Sequence, residues 1–193
     1  MKDFYRTNPW FSLCGLNCGL CPMRLGNYCP GCGLGEGNQG CAVARCSLSH
    51  HKPEYCFQCG EFPCGKYEGV DAFDSFITHK NQMSDIEKFK EIGMDAYNDE
   101  QSGKSEILKL LLSEYNDGRK KTFFCVAVNL LELKDIKEIM GQLSVIEGKE
   151  RLSVKERAAY AEKLFKETAS KQNVELKLRK KKKGEGNESM GRN

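Results

Sequence analysis

No stretch of this chain strings together the ~18 consecutive apolar residues that a membrane span needs. Its opening, MKDFYRTNPWFSLCG, has neither a basic segment leading into an apolar core nor a small-residue cleavage site. Neither secretion nor membrane insertion is therefore expected, and the cytoplasm is the expected compartment. Histidine is scarce: there are three, His50, His51 and His79, so an imidazole acid–base mechanism has few candidates. P-loop, H-E-x-x-H and G-x-S-x-G signatures are missing, and the faint glycine pattern GCGLGEG (31–37) follows no strand. No internal repeat of 20–50 residues appears. A strong charge of one sign is lacking as well. The formal charge is +3, but from Lys177 onward seven basic residues face two acidic ones. That leaves the rest of the chain about −2, which excludes a generally basic nucleic-acid binder.

Cysteine is abundant instead. Ten of the eleven cysteines fall between Cys14 and Cys64, and Cys125 stands apart. Cys14, Cys18 and Cys21 form C-x3-C-x2-C, and Cys29 and Cys32 form C-x2-C. Cys41 and Cys46 follow as C-x4-C, then Cys56, Cys59 and Cys64 as C-x2-C-x4-C. Outside the cell such density reads as a disulfide framework; in a cytoplasmic chain with repeated C-x2-C hooks it reads as a metal site. Two intervening residues let the chain turn so that both sulfurs reach one ion, and a second pair completes a tetrahedron. Glycine and proline crowd the hooks, as in Cys29-Pro30-Gly31-Cys32, where backbone must turn tightly beside a ligand. All ten of these cysteines are candidate metal ligands. Thiolates suit zinc and iron–sulfur clusters alike. Two zinc ions are the first choice because the hooks are short and spread over fifty residues, with an iron–sulfur cluster as the alternative. The expected grouping is local: Cys29, Cys32, Cys41 and Cys46 around one ion, and a second group drawn from Cys14, Cys18 and Cys21 with Cys56, Cys59 and Cys64. The six sulfurs of that second group exceed one tetrahedral site and leave a shared cluster, a spare pair or a redox thiol as the alternatives. Adjacent His50 and His51 read as exposed loop residues, with a Cys3His site as the other reading. Cys125, inside an apolar run, reads as a core thiol.

The spacing Cys14-x3-Cys18-x2-Cys21 is also that of radical SAM enzymes. Such an enzyme needs alternating strands and helices downstream, which this sequence does not display. The motif also usually has an aromatic residue before its third cysteine, where this chain has Leu20. The hook therefore reads as one part of a ten-cysteine array.

Residues 1–69 are expected to be a loop-rich metal-binding region with too little apolar periodicity to close a core unaided. Residues 70–172 read as four or five helices. One starts at a Ser84/Glu87 capping box and stops at Gly93. A second, over 104–118, puts Leu108, Leu111, Leu112 and Tyr115 on one face. TFFCVAVNLLEL (122–133) is apolar nearly all round, a buried helix with a strand as the alternative. Ile136, Ile139, Met140, Leu143 and Ile146 follow an Asp135/Glu138 box, and Ala158, Ala161, Phe165 and Ala169 follow a Ser153/Glu156 box. The fold class is thus α-rich: a metal-stabilised cysteine-rich region packed on a small helical bundle. Residues 173–193 read as a disordered basic tail, offering at most a weak contact with nucleic acid or an anionic surface.

The run from Cys14 to Gly69 resembles the cysteine-rich bacterial and archaeal proteins grouped as domain-of-unknown-function family 3795. The shared pattern is C-G-L-x-C-x-x-C-P (Cys14 to Pro22), C-x-G-C (Cys29 to Cys32), a spaced pair (Cys41, Cys46) and C-x-x-C-x-E-F-P-C (Cys56 to Cys64). The helical stretch LLSEYNDGRKKTFFCVAVNLLEL is similar to a longer subset of that family, so the likeness spans roughly residues 10–145. It implies a zinc binder with no assigned activity. The resulting expectation is a cytoplasmic zinc-binding module in which metal is structural, a binding or adaptor protein rather than an enzyme. A thiol redox or iron–sulfur protein with an enzymatic role is the alternative.

Overall fold

A computed structural model describes residues 1–146 and 148–180. The described residues form seven α-helices and no strand. Two short helices lie in the cysteine-rich region, α1 (Pro22–Leu25) and α2 (Ala42–Ser49). Five longer ones follow: α3 (Gln82–Ile92), α4 (Met94–Glu114), α5 (Lys121–Leu130), α6 (Leu133–Ser144) and α7 (Val154–Lys171). The α-rich expectation holds at this level, and the partial barrel of a radical SAM enzyme is not present among these residues.

Local signals explain most boundaries. Gly93 ends α3 with φ 81°, a left-handed conformation that costs glycine little, and the same residue starts α4. Ser153 and Glu156 cap α7 reciprocally, as their spacing predicts. Ser153→Ala is expected to cost about 1 kcal/mol and to lower Tm by about 2–4 °C, read by thermal unfolding. Two other caps differ from expectation. Helix α3 begins earlier, at Gln82, with Ser84 already inside it donating to the Asn81 carbonyl at 3.0 Å. Helix α6 begins at Leu133, which puts Asp135 in its first turn. There it faces the positive end of the helix dipole without closing a box.

Helix α4 extends well upstream of the expected start at 104, reaching about 30 Å. Its buried stripe changes character along its length, from Tyr97, Gln101, Lys104 and Ser105 to Leu108 and Leu111. The apolar end joins Phe124, Val128, Leu131, Ile136, Ile139, Leu143, Ala161 and Phe165 in the main core. TFFCVAVNLLEL is helical, and α5 packs against both α4 and the 3-10 turn Cys18–Leu20.

The cysteine-rich region contributes more apolar material than its periodicity suggests. Leu20 reaches the main core, and Phe4 and Leu13 pack with Ala44. Phe11, Tyr55 and Tyr67 build an aromatic core with Ile86, Phe89 and Tyr97. Metal would thus add to apolar burial here, not replace it. These residues escape a period-based reading because they sit singly in loops. Asn8 illustrates how one is set: its Oδ1 accepts from the Trp10 and Phe11 N–H groups at 2.8 and 3.1 Å, and its Nδ2 donates to Tyr55 Oη and Asn98 Oδ1.

Composition places residues 173–180 in a disordered tail, but this segment is docked. Val174 and Leu176 pack on the main core. The Arg179 guanidinium pairs with Asp74 at 3.0 Å, and the two backbones are linked by Asp74 N–H to the Arg179 carbonyl at 2.8 Å. Arg179 thus neutralises a buried carboxylate, and Glu175 of the same segment pairs with Lys80 at 3.8 Å. The basic run Lys181–Lys183 and the residues after it lie outside the described residues.

Candidate metal centre

The first hook is built by a tight turn and a close approach. Ser12 N–H donates to the Leu16 carbonyl and Leu16 N–H to Ser12 Oγ, closing the turn that carries Cys14. Gly15 sits at φ 90° against α3, where an added Cβ would stand 2.5 Å from Ile86 and 3.3 Å from the Gln82 carbonyl oxygen. Only glycine fits that approach. The Cys14 carbonyl then accepts from Gln82 Nε2 at 2.7 Å and Tyr67 Oη at 3.1 Å.

Amide groups turn toward the sulfurs. Leu13 N–H approaches Cys32 Sγ at 3.5 Å, Gly31 N–H approaches Cys29 Sγ at 3.4 Å, and Ala44 N–H approaches Cys41 Sγ at 3.4 Å. Ser12 Oγ lies 3.3 Å from Cys14 Sγ. Such contacts favour the thiolate form. Burial acts the other way and is stronger. It pushes the Cys14 thiol up to about 12, with Ser12 pulling back and Cys32, Cys41 and Cys56 adding to the rise. Burial likewise raises Cys18, reinforced by Cys14, Cys32, Cys21 and Cys29, and raises Cys56 to about 11. Cys32 is raised by burial too, opposed by Leu13 N–H and by the Arg6 guanidinium. Arg6 is itself buried, paired with Glu54 at 3.1 Å and lying over the Tyr55 ring.

One cavity is lined by Cys46 but not by its sequence neighbour Cys41. Cys46, Cys56, Cys59 and Cys64 line this cavity of about 30 Å³, together with His50, Glu61 and Tyr67. Cys14, Cys21, Cys29 and Cys32 are the neighbours that Cys18 senses, Cys41 acts on Cys14 and Cys32, and Cys56 acts on Cys14 and senses Cys32, so the two sets of thiols adjoin. Cys46 points away from its sequence neighbour Cys41, because it lies five residues on, near the middle of α2, where the helical twist turns it to another side. The two histidines also separate. His50 Nδ1 lies 3.6 Å from Cys46 Sγ, and its Nε2 lies 3.5 Å from Glu61 Oε1, whereas His51 is exposed.

Among the described residues no three His, Cys, Asp or Glu side chains stand at metal-holding distances. All eleven cysteines are free thiols, so the disulfide framework is not formed. The donor types nevertheless suit a soft or borderline ion: sulfur predominates, amide groups turn toward three of the sulfurs, and four cysteines with His50 line one small cavity. Cys125 is a core thiol as expected, 4% exposed, and burial pushes it up to about 12.

Sequence reasoning missed Asn17, Arg6, Tyr67 and Gln82, which surround the hooks. Asn17 had a visible signal, being a polar residue inside the motif itself. The others are distant in sequence and carry no spacing cue. No helix among the described residues is long and apolar enough to cross a membrane. No family model matches the chain, and neither a curated protein nor a solved structure matches it.

Proposed function

We propose that this chain is a zinc-binding module in which two structural ions set the cysteine-rich region on the helical layer, and that it works as a cytoplasmic binding or adaptor protein. The observation that carries this reading is the cavity lined by Cys46, Cys56, Cys59 and Cys64. Its volume of about 30 Å³ suits an ion, whereas organic ligands occupy about 300–1,000 Å³. Larger grooves of about 560 and 570 Å³ run along α7 and beside Glu100 and Glu132; both are open, charged surface and neither includes a cysteine. The likeness of the Cys14–Gly69 pattern to a zinc-binding family supports the same reading. The second ion would draw on Cys14, Cys18, Cys21, Cys29 and Cys32, with Cys41 beside them. When bound, zinc would supply cross-links between loops that are distant in sequence, and this chain's own part is to present the thiols.

Elemental analysis and a visible spectrum of anaerobically purified protein test the proposal. About two zinc per chain and no absorption near 400 nm are expected, and Cys59→Ser should lower zinc by about one equivalent. Brown protein rich in iron and sulfide would establish the iron–sulfur alternative, and protein with neither metal would refute both.

A further inference from the structure

Asn17 lies inside the first hook, between Cys14 and Cys18, and is 2% exposed. Its side chain bonds to three different helices. Asn17 Nδ2 donates to Asp85 Oδ2 of α3 at 2.7 Å and to Asn129 Oδ1 of α5 at 3.1 Å. Asn17 Oδ1 accepts from Tyr97 Oη of α4 at 2.8 Å. Asn81 braces the same acceptors, donating to Asp85 Oδ2 at 2.5 Å and to Asn129 Oδ1 at 3.0 Å. The amide's donor and acceptor sides are thus both engaged.

An apolar residue at position 17 would fill the space without the cost of burying an amide, and replacing buried polar groups in this way is often neutral or stabilising. What a satisfied polar network adds is direction, because each bond has a required angle and length. Direction matters here because the hook is otherwise soft. It contains Gly15 and Gly19, and its sulfurs have to meet a narrow geometry to share an ion. The Cys14 carbonyl is held from α3 through Gln82, so the hook is gripped on both sides of Gly15 and Leu16.

We propose that Asn17, clamped by Asp85, Tyr97 and Asn129, is the positioning residue that holds Cys14 and Cys18 in place for a shared metal ion. The helical layer then sets how tightly this group of cysteines keeps its metal. The inference rests on the metal-binding reading above. It assigns no such role to the clamp for the ion at Cys46, Cys56, Cys59 and Cys64.

The test uses the intact zinc-loaded chain, challenged with excess chromogenic zinc chelator. Partners that orient metal ligands change affinity by about 10–100-fold. Asn17→Ala and Asp85→Ala are expected to release one ion about 10–100-fold faster while the other leaves at the wild-type rate. A Cys59→Ser background, which retains only the ion nearest Asn17, assigns the fast phase. Asp85→Asn preserves an acceptor oxygen and is expected to release zinc as wild type does, a rescue that loss of folding would not show. If Asn17→Ala fails to fold, Tyr97→Phe, which removes a single oxygen, carries the test with the same selective acceleration. Wild-type rates for both ions in Asn17→Ala and Tyr97→Phe, or equal acceleration of both ions, would overturn this inference alone. A wild-type chain without metal overturns the metal reading and this inference with it.

Discussion

Phe11→Ala is expected to lower the free energy of unfolding by about 3–5 kcal/mol, measured by urea titration of the wild type and the variant. Phe11 is 0% exposed and touches both halves of the molecule. Its ring stacks on Phe89 of α3 at a centroid distance of 4.8 Å with planes 12° apart. Tyr97 of α4 lies 4.9 Å away and Tyr55 of the cysteine-rich region 5.9 Å away. Truncation would remove the ring and leave a cavity among aromatic neighbours that are themselves bonded in place, Tyr97 through Asn17 and Tyr55 through Asn8. Those anchored rings cannot collapse into the space, which puts the cost toward the upper end. A loss below about 1 kcal/mol would show that the two regions are held mainly by other contacts, metal included.

The second large effect concerns pH. Burial raises the Asp85 carboxyl from its ordinary value to about 7, against the opposing pull of Lys104, Asn17 and Lys88. The folded chain then holds a proton that the unfolded chain has already lost between about pH 4 and pH 7. Where the folded state binds more protons, stability falls as pH rises. The contribution of Asp85 is therefore fully present below about pH 4, declines through the interval and is flat above about pH 7. Across that interval each pH unit is worth about 1.36 kcal/mol, so the loss amounts to up to about 4 kcal/mol.

Asp85→Asn removes this titrating carboxyl while keeping the shape of the side chain and an acceptor oxygen. Wild type and variant are expected to be equally stable near pH 4, with the variant ahead above pH 7. Lys104 narrows the gap. Burial lowers its ammonium, which Glu100 and Asp85 help to keep charged, and the variant removes one of those two partners. Parallel stability profiles from pH 4 to 8 would show that Asp85 is ionised in the fold throughout.

Much of the helical half was legible because its signals are local. The Ser153/Glu156 cap, the stop at Gly93 and the stripe Ala158, Ala161, Phe165 and Ala169 all lie within a few residues of the structure they specify. Helix α4 was read short because its first half buries Tyr97, Gln101, Lys104 and Ser105. A polar buried face has no hydrophobic period to betray it. The docked segment 174–180 was hidden for a related reason. Its charge suggests solvation, and nothing nearby announces that Asp74, 105 residues upstream, receives Arg179.

The cysteines show the same division. Hook spacing by itself marked ten thiols as candidate ligands, because a C-x2-C turn lets both of its sulfurs reach one ion. It also determined the glycines that such turns require. Which hooks face one another was decided only by tertiary structure. Helix α2 carries Cys46 away from Cys41 to the cavity of Cys56, Cys59 and Cys64. Asn17 reaches Asp85, Tyr97 and Asn129 only because α3, α4 and α5 converge behind the first hook. Turn geometry acts over three or four residues and is written in the residues themselves. Pairing across 50 to 110 residues depends on how whole helices pack, and no local pattern encodes it.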